Sequence, residues 1–359
     1  MIRVDSDLLH AFIRDALFSR GVAAADATVV ADILLAADSR GVESHGSARL
    51  QPHYLSRIAR GVLEVQPQIA VDRETPTTMR IDAGNGLGHP VAKRAMQHAI
   101  DKARAANIGI AAVHNSNHFG IAGYYAMMAL EHDMIGIAST NASRCVAPTF
   151  GRDLMLGTNP LAFAIPAAQE EPYVFDFATS TVARGKLEIA IRKGVPLPLG
   201  WAIDPAGAPT TDPPTGLAGA LLPLGGSGIE GGGHKGFGLG LLVDILCGVL
   251  GGGPFGANLP TSTGSQEEGA VSHWFMAINV GAMRDVDAFK RDVDRELREF
   301  KSSTPAPGRD RIYVAGELEF ANVRDAKRNG VALRESVFEE LGSIASELGL
   351  AAPAALAVN

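Results

Sequence analysis

Cysteine is scarce. The 359-residue chain carries two, Cys145 and Cys247, with no CxxC pair between them. That usage excludes a disulfide framework and a thiolate metal centre, and it leads us to expect a reducing, cytoplasmic location. No block of lysine and arginine stands out, and 32 basic against 39 acidic residues give a net charge of −7. A nucleic-acid or anionic-membrane partner therefore has no electrostatic footprint. The opening stretch "MIRVDSDLLHAFIRDALFSRG" is amphipathic and carries acids throughout, unlike a signal peptide. One apolar run, "GFGLGLLVDILCGVLGGG", is too short between its glycines for a membrane span and holds Asp244 in its middle. It reads as a fully buried helix.

What is abundant is glycine, 41 residues, in a chain that is 46% apolar and 20% charged. Such a chain can bury enough surface to offset its conformational entropy. Its length suits two domains, or one with large extensions. Residues 7–60 read as helices, with Leu9, Ile13 and Leu17 at spacing four and Tyr54 and Ile58 repeating it before Gly61. From about residue 77 the period shortens: "TTMRI", "IGIAAV", "MIGIAST", "LAFAIP" and "PYVFDFA" suit strands, and "HPVAKRAMQHAIDKARAAN" and "AGYYAMMALEHD" between them suit helices. That alternation predicts an α/β body. Residues 194–233, rich in proline and glycine, read as a long ordered loop over a site. "SHWFMAINV" reads as a late strand, Val286, Phe289, Val293, Leu297 and Phe300 as a helical stripe, and 331–349 as a last helix after the "TPAPG" break. We expect a discontinuous helical domain from 1–73 and 295–359, and an α/β domain with a mixed sheet and helices on its faces from 74–294.

Several segments carry candidate chemistry. "DAGNGLGHP" spaces its glycines as GxGxG rather than GxGxxG and lacks the acidic residue of the ordinary dinucleotide fingerprint, so it reads as a turn into a helix. "HNSNHFG", 114–120, follows a strand, where open α/β sheets place their ligands, and reads either as a binding turn or as a helix cap. "FDFATSTVARGK" sets Asp176 at a strand end, then Thr179 and Ser180 before a helical stretch, residues able to meet a ribose or simply to cap a helix. "GGGHKGFG" surrounds Lys235 with glycine as a phosphate cradle, without the GxxxxGK[ST] ending of a P-loop. In "SHGSARL", His45 and Arg49 lie one helical turn apart, able to move a proton beside a carboxylate or simply to sit solvated at a helix start. His10, His53, His89, His98, His132 and His273 show no metal-ligand spacing and read as structural or solvated, and no metal site is expected.

Taken in order, "ADSRGVESHGSARL", "HNSNHFGIAGYY", "LGTNPLAFAIP", "FDFATSTVARGKLEIA", "GWAIDPAGAPTTDP", "GGGHKGFGLGLLVDILCGVLGG" and "TPAPG" resemble the malate/L-lactate dehydrogenase family of the non-Rossmann type. The family includes sulfolactate and ureidoglycolate dehydrogenases and reductases of cyclic imino acids. The resemblance implies NAD or NADP as cofactor, an unusual α/β fold, a homodimer and a small carboxylate substrate. It makes His45 the proton donor or acceptor, assisted by Ser44, with His118 as the competing assignment, and Arg49 the carboxylate clamp. Thr158 and Arg184 fall where relatives approach the substrate. Asn117, His118, Phe119, Gly120, Asn141, Asp176, Phe177, Ala178 and Lys235 fall where they hold the cofactor. Gly316 and Glu317 match a cofactor-touching turn, with Ala315 in place of its usual proline. The imine reductases carry an aspartate in the segment matching "ARGKLE", and this chain has Lys186 there. The resemblance thus favours a 2-oxo or 2-hydroxy acid over a cyclic imine.

Overall fold

The computed structural model describes residues 1–261 and 270–356. Its centre is a seven-stranded mixed sheet. Across the sheet the strands run Ala70–Glu74, Thr78–Asp82, Ile108–Ser116, Val271–Asn279, Met134–Thr140, Leu161–Ile165 and Tyr173–Phe177. Among the described residues of this sheet only Thr78–Asp82 and Ile108–Ser116 pair in parallel, and a parallel pair needs a crossover. The helix Gly88–Ala106 makes it, burying Val91, Ala95, Ala99 and Ala103 at spacing four, and Asn107 ends it in the left-handed region. The late strand Val271–Asn279 inserts between Ile108–Ser116 and Met134–Thr140, antiparallel to both. The ends of three distant segments, 114–120, 140–141 and 271–273, meet there.

The N- and C-terminal segments share a second core. Helices Ser6–Phe18 and Ala24–Ser39 pack with Leu50, Tyr54 and Leu55, and with Val331, Leu333, Leu341 and Ile344 from the other end of the chain. A two-stranded sheet, Ile2–Val4 against Val331–Leu333, ties the ends together. The helix Val286–Ser302 sits apart from this core. Its Asp294 accepts from the amides of Ala168, Gln169 and Glu170, and Lys290 pairs with Asp133. The division between 294 and 295 therefore falls inside a helix held against the sheet.

Three expectations need correction. The glycine-rich apolar helix, Gly233–Asp244 continued by a wider-wound turn Ile245–Leu250, is not fully buried, with Val249 and Leu250 51% and 61% exposed. Glycines at 236, 240 and 248 let its other face lie close, and buried Asp244 accepts from Asn141 and from the Gly256 amide. Its length and composition would suit a membrane span, but this pairing holds it to the sheet. The 194–233 stretch is not one loop: Ala202–Ile203, Pro209–Thr210 and Ala220–Leu221 form a small antiparallel sheet beside the helix Pro213–Ala218. The last helix starts later than residue 331: it runs Glu335–Leu348, because Val331–Leu333 is a strand paired with Ile2–Val4, and a further helix, Glu317–Asn329, precedes that strand. Gly330 at φ +80° makes the break, a conformation that glycine adopts at no steric cost.

Candidate active site

Where the helical layer meets the sheet, residues 43–59 follow the end of helix Ala24–Ser39 as short irregular helical turns. One buried carboxylate shapes them. Asp38, in the last turn of that helix, accepts from the Ser47 amide at 2.8 Å. A Cβ on Gly46 would lie 1.8 Å from Asp38 Oδ1, so only glycine lets the turn close on the carboxylate. Burial, with Glu43 nearby, raises the Asp38 carboxyl to about 7.

This turn presents Ser44, His45 and Arg49. Ser44 Oγ lies 2.9 Å from His45 Nδ1, and Arg49 Nε donates to the Ser44 carbonyl. From the sheet side comes His118, whose ring stacks on His45 with centroids 5.4 Å apart. Tyr54 Oη is 2.7 Å from His118 Nδ1 and 3.2 Å from His89 Nε2, and His53 meets His118 edge-on at 5.3 Å. Four histidines therefore gather around two buried or half-buried arginines, Arg49 and Arg57. Desolvation keeps them neutral. The His45 imidazole falls to about 4, with Arg49 adding to the effect, and His53 and His89 fall to about 3. His118 is held well below its ordinary value by burial and by the surrounding histidines and Arg49. Among the described residues no histidine, cysteine or carboxylate cluster has metal-holding geometry.

Sequence reasoning set His53 and His89 aside as structural and passed over Tyr54 and Arg57. The Tyr54–Ile58 periodicity marked only a helix face, and the partners that give Tyr54 its role lie 35 and 64 residues away.

The remaining candidates occupy distinct places. Asn117 spends its side chain on structure: Oδ1 accepts from Arg57 Nη2 at 2.7 Å, and Nδ2 donates to the Asn85 and Gly86 carbonyls. Phe119 stacks on His273 at 4.6 Å, and Gly120, at φ +81°, packs where a Cβ would lie 2.7 Å from Ile33 Cγ2. Asn141 is equally committed, donating to Asp244 and the Pro254 carbonyl and accepting from the Ser272 amide. Asp176, at the sheet's edge, accepts from the Gly123 amide at 2.7 Å. Water reaches it, yet surrounding protein raises its carboxyl to about 6, opposed by the Gly123 bond and by buried Arg40. Phe177 stacks on Phe175, and half-buried Ala178 leads into Thr179, which bonds the Thr158 carbonyl. Gly316 and Glu317 begin the helix Glu317–Asn329 beside Val174 of the same strand, with Glu317 paired to Arg311.

Lys235 stands exposed in the first turn of Gly233–Asp244, and Gly240 of that helix packs against Thr179. Arg184 caps the helix Gly185–Lys193, and a Cβ on Gly185 would lie 3.9 Å from Arg49 Nη2, so this loop borders Arg49. Ser44, His45, Arg49 and His118 thus form one cluster with the 184–185 loop at its edge. Asp176, Phe177 and the 316–317 turn form a second, while the described contacts leave Lys235 and Asn141 apart from the histidines.

The match to the malate/L-lactate dehydrogenase model runs over residues 4–342. The chain belongs to the malate/L-lactate dehydrogenase family. Its members named as malate, sulfolactate and ureidoglycolate dehydrogenases act on small 2-hydroxy acids, and this chain is an NAD(P)-dependent dehydrogenase of that class. It is 45% identical to a malate dehydrogenase of Pyrococcus horikoshii, covering 97% of this chain and 96% of the relative. It is 39% identical to an L-sulfolactate dehydrogenase of Methanothermobacter thermautotrophicus, covering 94% and 95%. A Pseudomonas putida reductase of pyrroline- and piperideine-2-carboxylate stands further off at 34%, covering 95% and 96%. The crystal structure of an Entamoeba histolytica malate dehydrogenase superposes with a TM-score of 0.92 at 36% identity, covering 98% of this dehydrogenase and 99% of that chain.

The residues present fit a nicotinamide dinucleotide. Exposed Lys235 and the amides opening the helix Gly233–Asp244 suit a pyrophosphate, and the carboxylate of Asp176 suits ribose hydroxyls.

Proposed function

We propose that the Ser44–His45–Arg49 cluster is the reacting centre for a malate- or sulfolactate-like 2-hydroxy acid, with Arg49 holding the carboxylate and His45 moving the hydroxyl proton. The observation that carries this reading is the juxtaposition of a guanidinium, a serine-paired imidazole and His118 in one cluster. Arg49 offers the planar fork that grips a carboxylate with two parallel hydrogen bonds. Fixing the acid in this way is the source of proximity gains of roughly several kcal/mol. His45, held neutral near a pKa of about 4, is ready as it stands to accept the proton of a hydroxyl acid. A carboxylate on Arg49 offsets one of the two causes that depress His45, so a 2-oxo acid helps load the proton its own reduction consumes.

A nicotinamide held here would supply or accept the hydride at the adjacent carbon. Lys235 holds its pyrophosphate and Asp176 a ribose. Asn117, Phe119, Gly120, Asn141, Phe177, Ala178, Gly316 and Glu317 form or brace the walls, and Thr158 and Arg184 border the substrate. We place the boundary of the helical part after Ser302 rather than at 294. The exposed apolar row Leu241, Leu242, Ile245, Val249 and Leu250 supports a homodimer in which a second copy covers it. The scarcity of cysteine, two residues with no CxxC pair, supports a cytoplasmic setting.

His45→Ala tests the core of this reading. Turnover is expected to fall by about 10²–10⁴-fold, the usual worth of positioned acid–base help, while NADH fluorescence titration shows binding close to wild type. Near-normal turnover overturns the assignment.

A further inference from the structure

The hydrogen bonds around the two site histidines are not equivalent. His118 Nδ1 lies 2.7 Å from Tyr54 Oη and 3.4 Å from the Gly120 amide nitrogen. A backbone N–H can only donate, so Nδ1 presents a lone pair and the proton of neutral His118 sits on Nε2. Tyr54 has one hydroxyl proton. Given to His118, it leaves the phenolic oxygen to accept from His89 Nε2 at 3.2 Å. The chain then has one direction, from His89 Nε2–H through Tyr54 Oη–H to His118 Nδ1. Tyr54 and His89 are buried, so water does not compete for these bonds.

His45 is held differently. Its Nδ1 meets a serine hydroxyl, which can accept as well as donate. With Nδ1–H donating to Ser44 Oγ, the lone pair falls on Nε2, which has no hydrogen-bond partner among the described residues.

We infer that the two histidines divide the work: Tyr54 is a positioning residue that fixes His118 as an Nε2–H donor to the substrate oxygen, and His45 alone carries the transferred proton. This rests on the reading of the cluster as the reacting centre. In the oxidation of a 2-hydroxy acid the O–H bond breaks and its proton goes to His45 Nε2. The hydrogen on carbon leaves with its electron pair as the hydride of the family's reaction. The carbon–oxygen double bond forms while that oxygen still accepts from His118 Nε2–H. His118 has no lone pair to offer, since Nε2 is protonated and Nδ1 already receives two donors. Reduction runs the same path backward, with His45 returning its proton. His118 is faced by His45, His53, His89 and Arg49, and His45 by Arg49, so no carboxylate competes with substrate for either ring.

An amide substitution separates the two roles, because glutamine can donate an N–H but cannot take up a proton. Losing one donor to a developing oxyanion lowers turnover about 10²–10³-fold, which is the expectation for His118→Ala. His118→Gln is expected to recover about tenfold or more of that loss and to keep the wild-type acid limb of kcat/KM against pH. His45→Gln is expected to lose about 10²–10⁴-fold together with that limb. Tyr54→Phe leaves His118 Nδ1 with only the long contact to the Gly120 amide, so a new ionisation should enter the pH profile while KM for the oxo acid holds; a mere packing role would not add one. Independently of any variant's folding, long-range 1H–15N correlation on full-length protein labelled at histidine, bound to NADH, should place the His118 proton on Nε2. The inference is overturned if that proton sits on Nδ1, if H118Q is no more active than H118A, or if H45Q keeps the acid limb. If neither H45Q nor H118Q lowers turnover, the reading of the reacting centre itself falls.

Discussion

His273 lies beneath the site, and its replacement isolates a measurable part of the protein's response to acid. It is wholly buried, with Nδ1 2.8 Å from Thr140 Oγ1, Nε2 2.8 Å from Ser116 Oγ, and the ring of Phe119 stacked on it. Desolvation lowers its pKa from the model-peptide 6.5 to about 3. The unfolded chain takes up a proton as pH falls through 6.5, whereas the folded protein does so only near 3. Stability is therefore lost progressively below pH 6.5. Between pH 7.5 and 5.0 this one group removes about 2 kcal/mol, since each pH unit below the unfolded pKa is worth about 1.4 kcal/mol.

His273→Gln keeps polar contact with Thr140 and Ser116 but cannot titrate. At pH 7.5 the variant should be less stable than wild type by about 1–3 kcal/mol through poorer bonding and lost stacking. At pH 5.0 that gap should close by about 2 kcal/mol. Urea unfolding of both proteins at both pH values, at one protein concentration, reads the difference directly. His45, His53, His89, Asp38 and Asp176 titrate in both proteins and cancel. A gap that stays constant with pH would refute the claim that His273 is held neutral by burial.

Gly46→Ala forces a methyl group against Asp38. The turn carrying Ser44, His45 and Arg49 must shift by an ångström or so, which typically lowers turnover about 10²-fold; steady-state kinetics should show kcat falling with Kd for NADH unchanged. Arg49→Met removes the carboxylate fork and should raise KM for 2-oxo acids by about tenfold or more while the protein melts within a few degrees of wild type; an unchanged KM assigns the clamp elsewhere.

Much of the site was legible in sequence because its chemistry sits in short ordered motifs. "SHGSARL" and "SNHFG" each bring candidate reacting groups to one turn, and strand ends followed by glycine announce where a ligand can approach. What sequence did not disclose depends on long-range partners. Nothing local distinguishes Tyr54 from a core aromatic until His118 and His89 are brought to its hydroxyl. Asp38 reads as one more charge at a helix end until Gly46 closes over it. Asn117 was singled out because it follows a strand and Asn141 through the resemblance alone, and neither signal discloses that the fold also uses their amides to join distant segments. The apolar helix Gly233–Leu250 looked buried on all sides because composition does not say which face lacks a partner. The start of the last helix was misplaced because Val331–Leu333 pairs as a strand with the N-terminus, a partner that the local pattern does not show.

The most direct measurement of the central claim is nicotinamide absorbance with purified protein, NADH and NADPH in parallel, over pyruvate, oxaloacetate, sulfopyruvate, diketogulonate and the pyrroline and piperideine carboxylates. The account expects turnover on 2-oxo acids, led by the four-carbon and sulfonated acids, with little on the imines. Turnover confined to the cyclic imines would contradict it.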